Sequence, residues 1–129
     1  MVETRVLAKL TAISAVTLRV KSMAKSLQFY RDILGLKLVY GGEDTSFSSL
    51  RVDESYLNLQ LSANAQTEWG RLILYSDDVD QMYEHLTSHG YHLPKPENAS
   101  WGERFFHVND PDGHELSIAK PLSNSTSTN

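Results

Sequence analysis

Residues 16–36 read VTLRVKSMAKSLQFYRDILGL, and this stretch sets out a strand, a cap, a helix and a stop in order. Over residues 13–20, Val16, Leu18 and Val20 fall on one face and Ala15, Thr17 and Arg19 on the other, the period of two of a half-buried strand. Ser22 stands as N-cap before a helix predicted over 23–34, where Met23, Leu27, Tyr30 and Leu34 recur at helical spacing. Gly35 occupies the C′ position. Strands are predicted next at 37–40, 45–52 and 56–61, separated by the turn signals Gly41-Gly42 and Asp53-Glu54.

The second half repeats this order. Residues 71–75 alternate, with Leu72 and Leu74 on one face and Arg71, Ile73 and Tyr75 on the other. Asp77 and Asp78 supply capping carboxylates for a helix whose apolar stripe is Val79, Met82, Tyr83 and Leu86, ending before Gly90. Strands are predicted at 91–93, 104–108 and 115–119, with the turn Asp110-Pro111-Asp112-Gly113 between the last two. A shift of 56 places lays Ala15 over Arg71, Leu18 over Leu74 and Met23 over Val79, and one further residue of slip lays Gly35 over Gly90. The shared order of elements, rather than matched letters, marks a duplication.

The fold class expected is α+β: two βαβββ modules, about 11–62 and 69–120, forming a curved mixed sheet around a cavity. Each module covers one face of its sheet with a helix and leaves the other bare, and pairing the bare faces would enclose the cavity. Alternation directs Ala15, Thr17, Arg19, Asn58, Gln60, Arg71, Tyr75, Ser117 and His107 towards it. Residues 1–10 read as an N-terminal arm or extra strand. Residues 121–129 read as a disordered tail, polar and low in complexity from Ser123 onward.

Composition narrows the classes of function. A chain of 129 residues and 14.5 kDa fits one domain with a sizeable core. The absence of cysteine removes disulfides, thiol catalysis and zinc–thiolate sites. A net charge of −4 with scattered Lys and Arg argues against a nucleic-acid partner; an acidic balance could favour a cationic small molecule, but −4 is ordinary for a soluble domain. No apolar run is long enough to span a bilayer, and the N-terminal residues lack a signal-peptide pattern, so the expected address is cytoplasmic, with no membrane partner. No Gly-x-Ser-x-Gly, P-loop or Gly-x-Gly-x-x-Gly occurs, which leaves hydrolase, nucleotide and dinucleotide readings unsupported.

The segment 16–36 resembles the opening signature of the glyoxalase/bleomycin-resistance/dioxygenase (vicinal oxygen chelate) superfamily. Trp101-Gly102-Glu103-Arg104, with Asp110-Pro-Asp-Gly-His-Glu-Leu-Ser-Ile118, is similar to its closing signature. The resemblance covers roughly residues 11–120 and implies the paired-module fold. It does not select a function, because this superfold hosts isomerases, dioxygenases, epoxide-opening transferases and drug-binding proteins. It also implies a homodimer as the ordinary assembly.

Metal-dependent members of that superfamily place a His, Gln or Glu on the inward face of four strands. Those positions fall here on Ala15, Asn58, Arg71 and Ser117, and this chain departs from the pattern at all of them. Alanine has no lone pair, arginine is a permanent cation, and Asn and Ser are weak neutral donors. A register error could bring in Gln60 or Glu115 but would still leave two ligands short. The expectation is no metal and no other cofactor.

Other candidates have two readings each. Arg71 either binds an anionic or enolate-like oxygen of a ligand or forms a structural ion pair with Glu115 across the cavity. Trp69, Trp101, Tyr75 and Phe105 either stack on a planar ligand or pack as core or dimer contacts. His107 either touches ligand or is a hydrogen-bonded wall residue, and Glu115 with His107 could serve as base and acid. His85 and His89 have a metal-compatible spacing on an exposed helical face, while His114 and Glu115, being adjacent, point to opposite faces. The loop at 94–104 suits a mobile lid.

The function expected is metal-independent binding of a small molecule, aromatic or anionic, through Ala15, Asn58, Gln60, Arg71 and Tyr75, together with Trp101, Phe105, His107, Glu115 and Ser117. The alternative is a diverged lyase, isomerase or dioxygenase.

Overall fold

Alternation and capping place each element where the physical chemistry of the chain requires it. The computed structural model describes residues 7–122. The expected arm therefore lies partly, and the expected tail almost wholly, outside the described residues. Residues 7–14 carry no regular secondary structure.

The first module runs β1 (Ala15–Val20), α1 (Met23–Leu27), a π-helical continuation (Gln28–Ile33), β2 (Lys37–Tyr40), β3 (Phe47–Val52) and β4 (Ser55–Leu61). The second runs β5 (Arg71–Tyr75), α2 (Val79–Ser88), β6 (Glu97–Asn98), β7 (Glu103–Asn109) and β8 (Glu115–Pro121). The strand orders are β1-β4-β3-β2 and β5-β8-β7-β6, one wiring used twice. In each sheet the first strand runs parallel to the last, Ala15 beside Tyr56 and Arg71 beside Glu115. The two-module α+β architecture is the one expected.

Ser22 caps α1 by accepting from the Lys25 N–H at 3.2 Å, and Asp78 caps α2 by accepting from Gln81 at 3.0 Å. The helix expected over 23–34 widens after Leu27, where the Leu34 N–H reaches back to Phe29 O at 2.8 Å. That wider turn brings the consecutive rings Phe29 and Tyr30 both into the core.

Most strand ends fall within two residues of expectation, and the larger or more telling differences have local causes. The strand expected from residue 45 starts at Phe47, because Thr45 donates its hydroxyl to turn carbonyls and accepts the Gly42 N–H. The strand expected at 91–93 is absent, and the edge strand is Glu97–Asn98 instead. Tyr91 packs its ring 5.9 Å from Phe29, and Pro94 and Pro96 delay ladder pairing until after them. The last strand ends at Pro121 rather than at residue 119, which removes Pro121 from the expected tail.

One core joins both modules, drawing Leu18, Leu27 and Leu59 from the first and Leu86, Phe106 and Leu116 from the second. Polar contacts cross the same junction. The buried Tyr30 hydroxyl donates to Asp110 Oδ2, while Asp110 Oδ1 accepts three backbone N–H groups of its own turn. Burial, and then the neighbouring Asp110 carboxylate, pushes the Tyr30 phenol far above its ordinary range. Buried His114 lies between Trp69, whose indole N–H donates to Nδ1 at 2.8 Å, and the Arg19 carbonyl, 2.8 Å from Nε2. An indole can only donate, so Nδ1 accepts and Nε2 carries the proton.

No helix among the described residues is long and apolar enough to cross a membrane.

Candidate functional site

The open faces carry the side chains that alternation singled out, and they do so as two separate groups. On the first module, Ala15, Thr17 and Arg19 of β1 stand beside Tyr56, Asn58 and Gln60 of β4. A hydrogen-bonded ladder fixes the middle row: Ser49 Oγ donates to Asn58 Oδ1 at 2.7 Å, and Asn58 Nδ2 donates to Thr17 Oγ1 at 3.2 Å. Ala15, Thr17, Arg19 and Gln60 are exposed and Asn58 is half-buried, so this face is uncovered in the single chain.

The second module gathers Arg71, Tyr75, Trp101, Phe105, His107, Glu115 and Ser117 on one wall. Arg71 Nη2 lies 3.2 Å from Glu115 Oε2, its register neighbour on β8. The pairing anticipated for Arg71 is thus present, between adjacent strands rather than across a cavity. The same Glu115 oxygen is 3.7 Å from His107 Nδ1, and Ser117 Oγ is 2.8 Å from that nitrogen. Both contacts fall on Nδ1, so His107 cannot relay a proton between Ser117 and Glu115 in the manner of a hydrolase triad. Its Nε2 has no hydrogen-bond partner among the described residues.

Further along the wall, Trp101 stacks on Phe105 with ring centres 5.7 Å apart and planes at 29°. Glu103, which sequence reasoning did not single out, ties this end together. One of its oxygens accepts from the Tyr75 hydroxyl and the other from Trp101 Nε1 at 3.0 Å. The hydrogen bond to that carboxylate holds the Tyr75 phenol above its ordinary range. The signal available was its period-two spacing with Phe105 and His107 on β7. Trp69, weighed with the same stacking group, is held by His114 instead. His85 on α2 and His89 at its C-cap lie exposed, their rings 4.6 Å apart. His114 is buried and Glu115 lies on the open wall, as adjacent residues must be.

The family model for the Glyoxalase/Bleomycin resistance protein/Dioxygenase superfamily matches residues 12–118. The chain belongs to that superfamily.

Solved structures of superfamily proteins agree in fold. A member from Sphaerobacter thermophilus DSM 20745 is 25% identical, with a TM-score of 0.70 over 85% of this chain and 97% of that one. A lactoylglutathione lyase from Agrobacterium tumefaciens is 17% identical, with a TM-score of 0.73 over 86% of this chain and 94% of that one. A glyoxalase/bleomycin resistance protein/dioxygenase from Nocardioides is 19% identical, with a TM-score of 0.72 over 96% of this chain and 92% of that one. At these identities the last two show the fold alone.

The side chains of this superfamily member do not fit the divalent metal expected of metal-dependent relatives. Ala15 offers no donor, and Arg71 puts a permanent guanidinium, paired with Glu115 at 3.2 Å, where a ligand would have to stand. Asn58 commits its amide oxygen to Ser49, and the hydroxyl of Ser117, 5% exposed, is committed to His107. Among the described residues no three His, Asp or Glu side chains converge as a metal site would need.

Proposed function

We propose that the protein is a metal-independent small-molecule-binding protein of the glyoxalase/bleomycin-resistance type, sequestering a drug or metabolite in the cytoplasm. The observation that carries this reading is the Arg71–Glu115 pair beside His107, on the strand where the resemblance to the superfamily implies a metal ligand. A fixed guanidinium repels a divalent ion and offers hydrogen bonds to a ligand oxygen. Ser117 belongs to the same wall as the support for His107. Tyr75, Trp101 and Phe105 supply aromatic surface. Ala15, Asn58 and Gln60 form the wall contributed by the first module.

A homodimer completes the reading. Ile73, Tyr75 and Trp101 are 55%, 64% and 69% exposed in the single chain, and a second copy covering the open faces would enclose the ligand between them.

Elemental analysis tests the first part, on protein purified without chelator or tag and supplied with Ni, Zn, Mn and Fe(II). Less than about a tenth of an equivalent of metal per chain is expected, and near-stoichiometric metal would overturn the reading. Equilibrium dialysis against aromatic and glycopeptide metabolites is expected to find a ligand, and no binding at high micromolar concentration counts against it.

The Arg71–Glu115–His107 contacts also favour a second reading, a diverged lyase or isomerase in which Arg71 stabilises a developing oxyanion. An Arg71→Ala variant that retained full turnover of an identified substrate would sink it.

A further inference from the structure

We propose that the aromatic end of the second module's open wall binds an organic ammonium ion, an alkylated amine carried on a small apolar or planar group. The inference rests on the small-molecule reading above and specifies the charge of the ligand. Glu103 is its centre, bracketed by the Tyr75 hydroxyl on one oxygen and the Trp101 indole N–H on the other. Phe105 backs the Trp101 ring, and Glu97 stands opposite Phe105 in the β6–β7 register, sharing the face. Ala119 lies between Tyr75 and Phe105 in register and is only 1% exposed beneath this end of the wall.

Some carboxylates of the chain are paired with cations, and those of this cluster are not. Among the described residues, Asp32 and Glu43 share Arg31, Asp80 holds Arg104, and Glu115 holds Arg71. Among the described residues no Lys, Arg or His nitrogen lies within 4.0 Å of a Glu97 or Glu103 carboxylate oxygen. Both donors to Glu103 are neutral, so they orient its carboxylate without cancelling the charge. Ring faces are electron-rich and attract a cation, and a carboxylate beside them adds to that attraction. An anion in the same place would be repelled by both. Three strand-borne carboxylates, Glu97, Glu103 and Glu115, oppose the single guanidinium of Arg71 along this wall.

The first module's open face carries Arg19, Lys37 and Arg51, and none of these has a carboxylate within 4.0 Å among the described residues. A second copy could present those cations to Glu103, and the test separates that outcome from a small ligand.

The full chain is titrated with benzyltrimethylammonium, phenylacetate and benzyl alcohol, with binding read by calorimetry and tryptophan fluorescence. The ammonium ion is expected to bind about tenfold or more tighter than either other probe. Added salt should narrow that margin. Glu103→Gln, which keeps an oxygen acceptor, is expected to lose the preference but still bind the ring, while Trp101→Ala loses binding of all three. Equal or tighter binding of phenylacetate or benzyl alcohol would overturn the proposal and spare the small-molecule reading. So would a Glu103→Gln variant whose preference is unchanged; if that variant also dissociates on sedimentation, Glu103 belongs to the contact with a second copy. No binding of any probe at about 10 mM, well above a millimolar dissociation constant, also overturns the proposal, and metal content then decides the wider reading.

Discussion

The Tyr30 hydroxyl donates to Asp110 Oδ2 at 2.7 Å, so a side chain from the first module's helix completes the coordination of a buried carboxylate in the second module's β7–β8 turn. Removing the hydroxyl leaves that oxygen without a partner in a place water reaches poorly. Tyr30→Phe should cost about 1–3 kcal/mol, the range for an unsatisfied buried acceptor. Urea unfolding of the two proteins measures it, and an unchanged midpoint would mean that another group satisfies Asp110.

The same phenol sets an alkaline limit. Its folded pKa is raised by burial and by Asp110, whereas the unfolded chain ionises near the ordinary value of 10.0. Its contribution is therefore complete below about pH 10 and declines as pH rises beyond it. Thermal melts between pH 8 and about 11 should show this decline in the native protein and a shallower one in Tyr30→Phe.

Arg104 works in the opposite direction. Its hydrogen bonds to Asp80 hold that carboxyl below its ordinary range. A depressed carboxyl stabilises above its unfolded pKa and loses that contribution as pH falls. Arg104→Met should flatten the acid limb of a stability profile below about pH 5, by a small amount because both groups are exposed. A parallel acid limb in the variant would count against this account.

Ser26 is buried on α1, and its hydroxyl has no hydrogen-bond partner among the described residues. Ser26→Ala removes an unsatisfied polar group and improves helix propensity. A gain of about 1 kcal/mol is expected, read as a higher melting temperature. A loss would point to a buried water bridging the hydroxyl.

Gly41 enters the β2–β3 connection at φ +85°, and a Cβ built there would collide with the Phe47 carbonyl and Ser48. Gly41→Ala should therefore destabilise by about 2–4 kcal/mol, strain and clash acting together. Gly35, also at positive φ but with open space around it, is the control expected to cost less.

Much of the fold was legible because burial follows local period. Val16, Leu18 and Val20 turn inward while Ala15, Thr17 and Arg19 stay exposed or nearly so, and Ser22 and Asp78 cap where a hydroxyl or carboxylate precedes an apolar stripe. The edge strand at Glu97–Asn98 was not legible. Two residues carry no period, and their pairing depends on where the chain leaves Pro96. Membership of the wall was readable for Arg71, His107 and Ser117, since alternation alone places them. Glu103 escaped notice because its role arises from Tyr75, 28 positions away, and from a turn that folds Trp101 back over the strand. Long-range partners of this kind leave no mark in local spacing.

The contacts of Asp110 also bear on how the chain comes apart. A repeat of two like halves suggests that either half could fold alone, yet Tyr30 finds its acceptor in the other half, and Phe29, besides its neighbour Tyr30, packs there against Tyr91. A polypeptide cut between Leu61 and Arg71 would yield fragments that each expose part of the common core. The slowest-exchanging amides should therefore be distributed over β4 and β8 together and should disappear in a single transition. Whatever its ancestry as a doubled unit, the present chain gains its order from both copies at once.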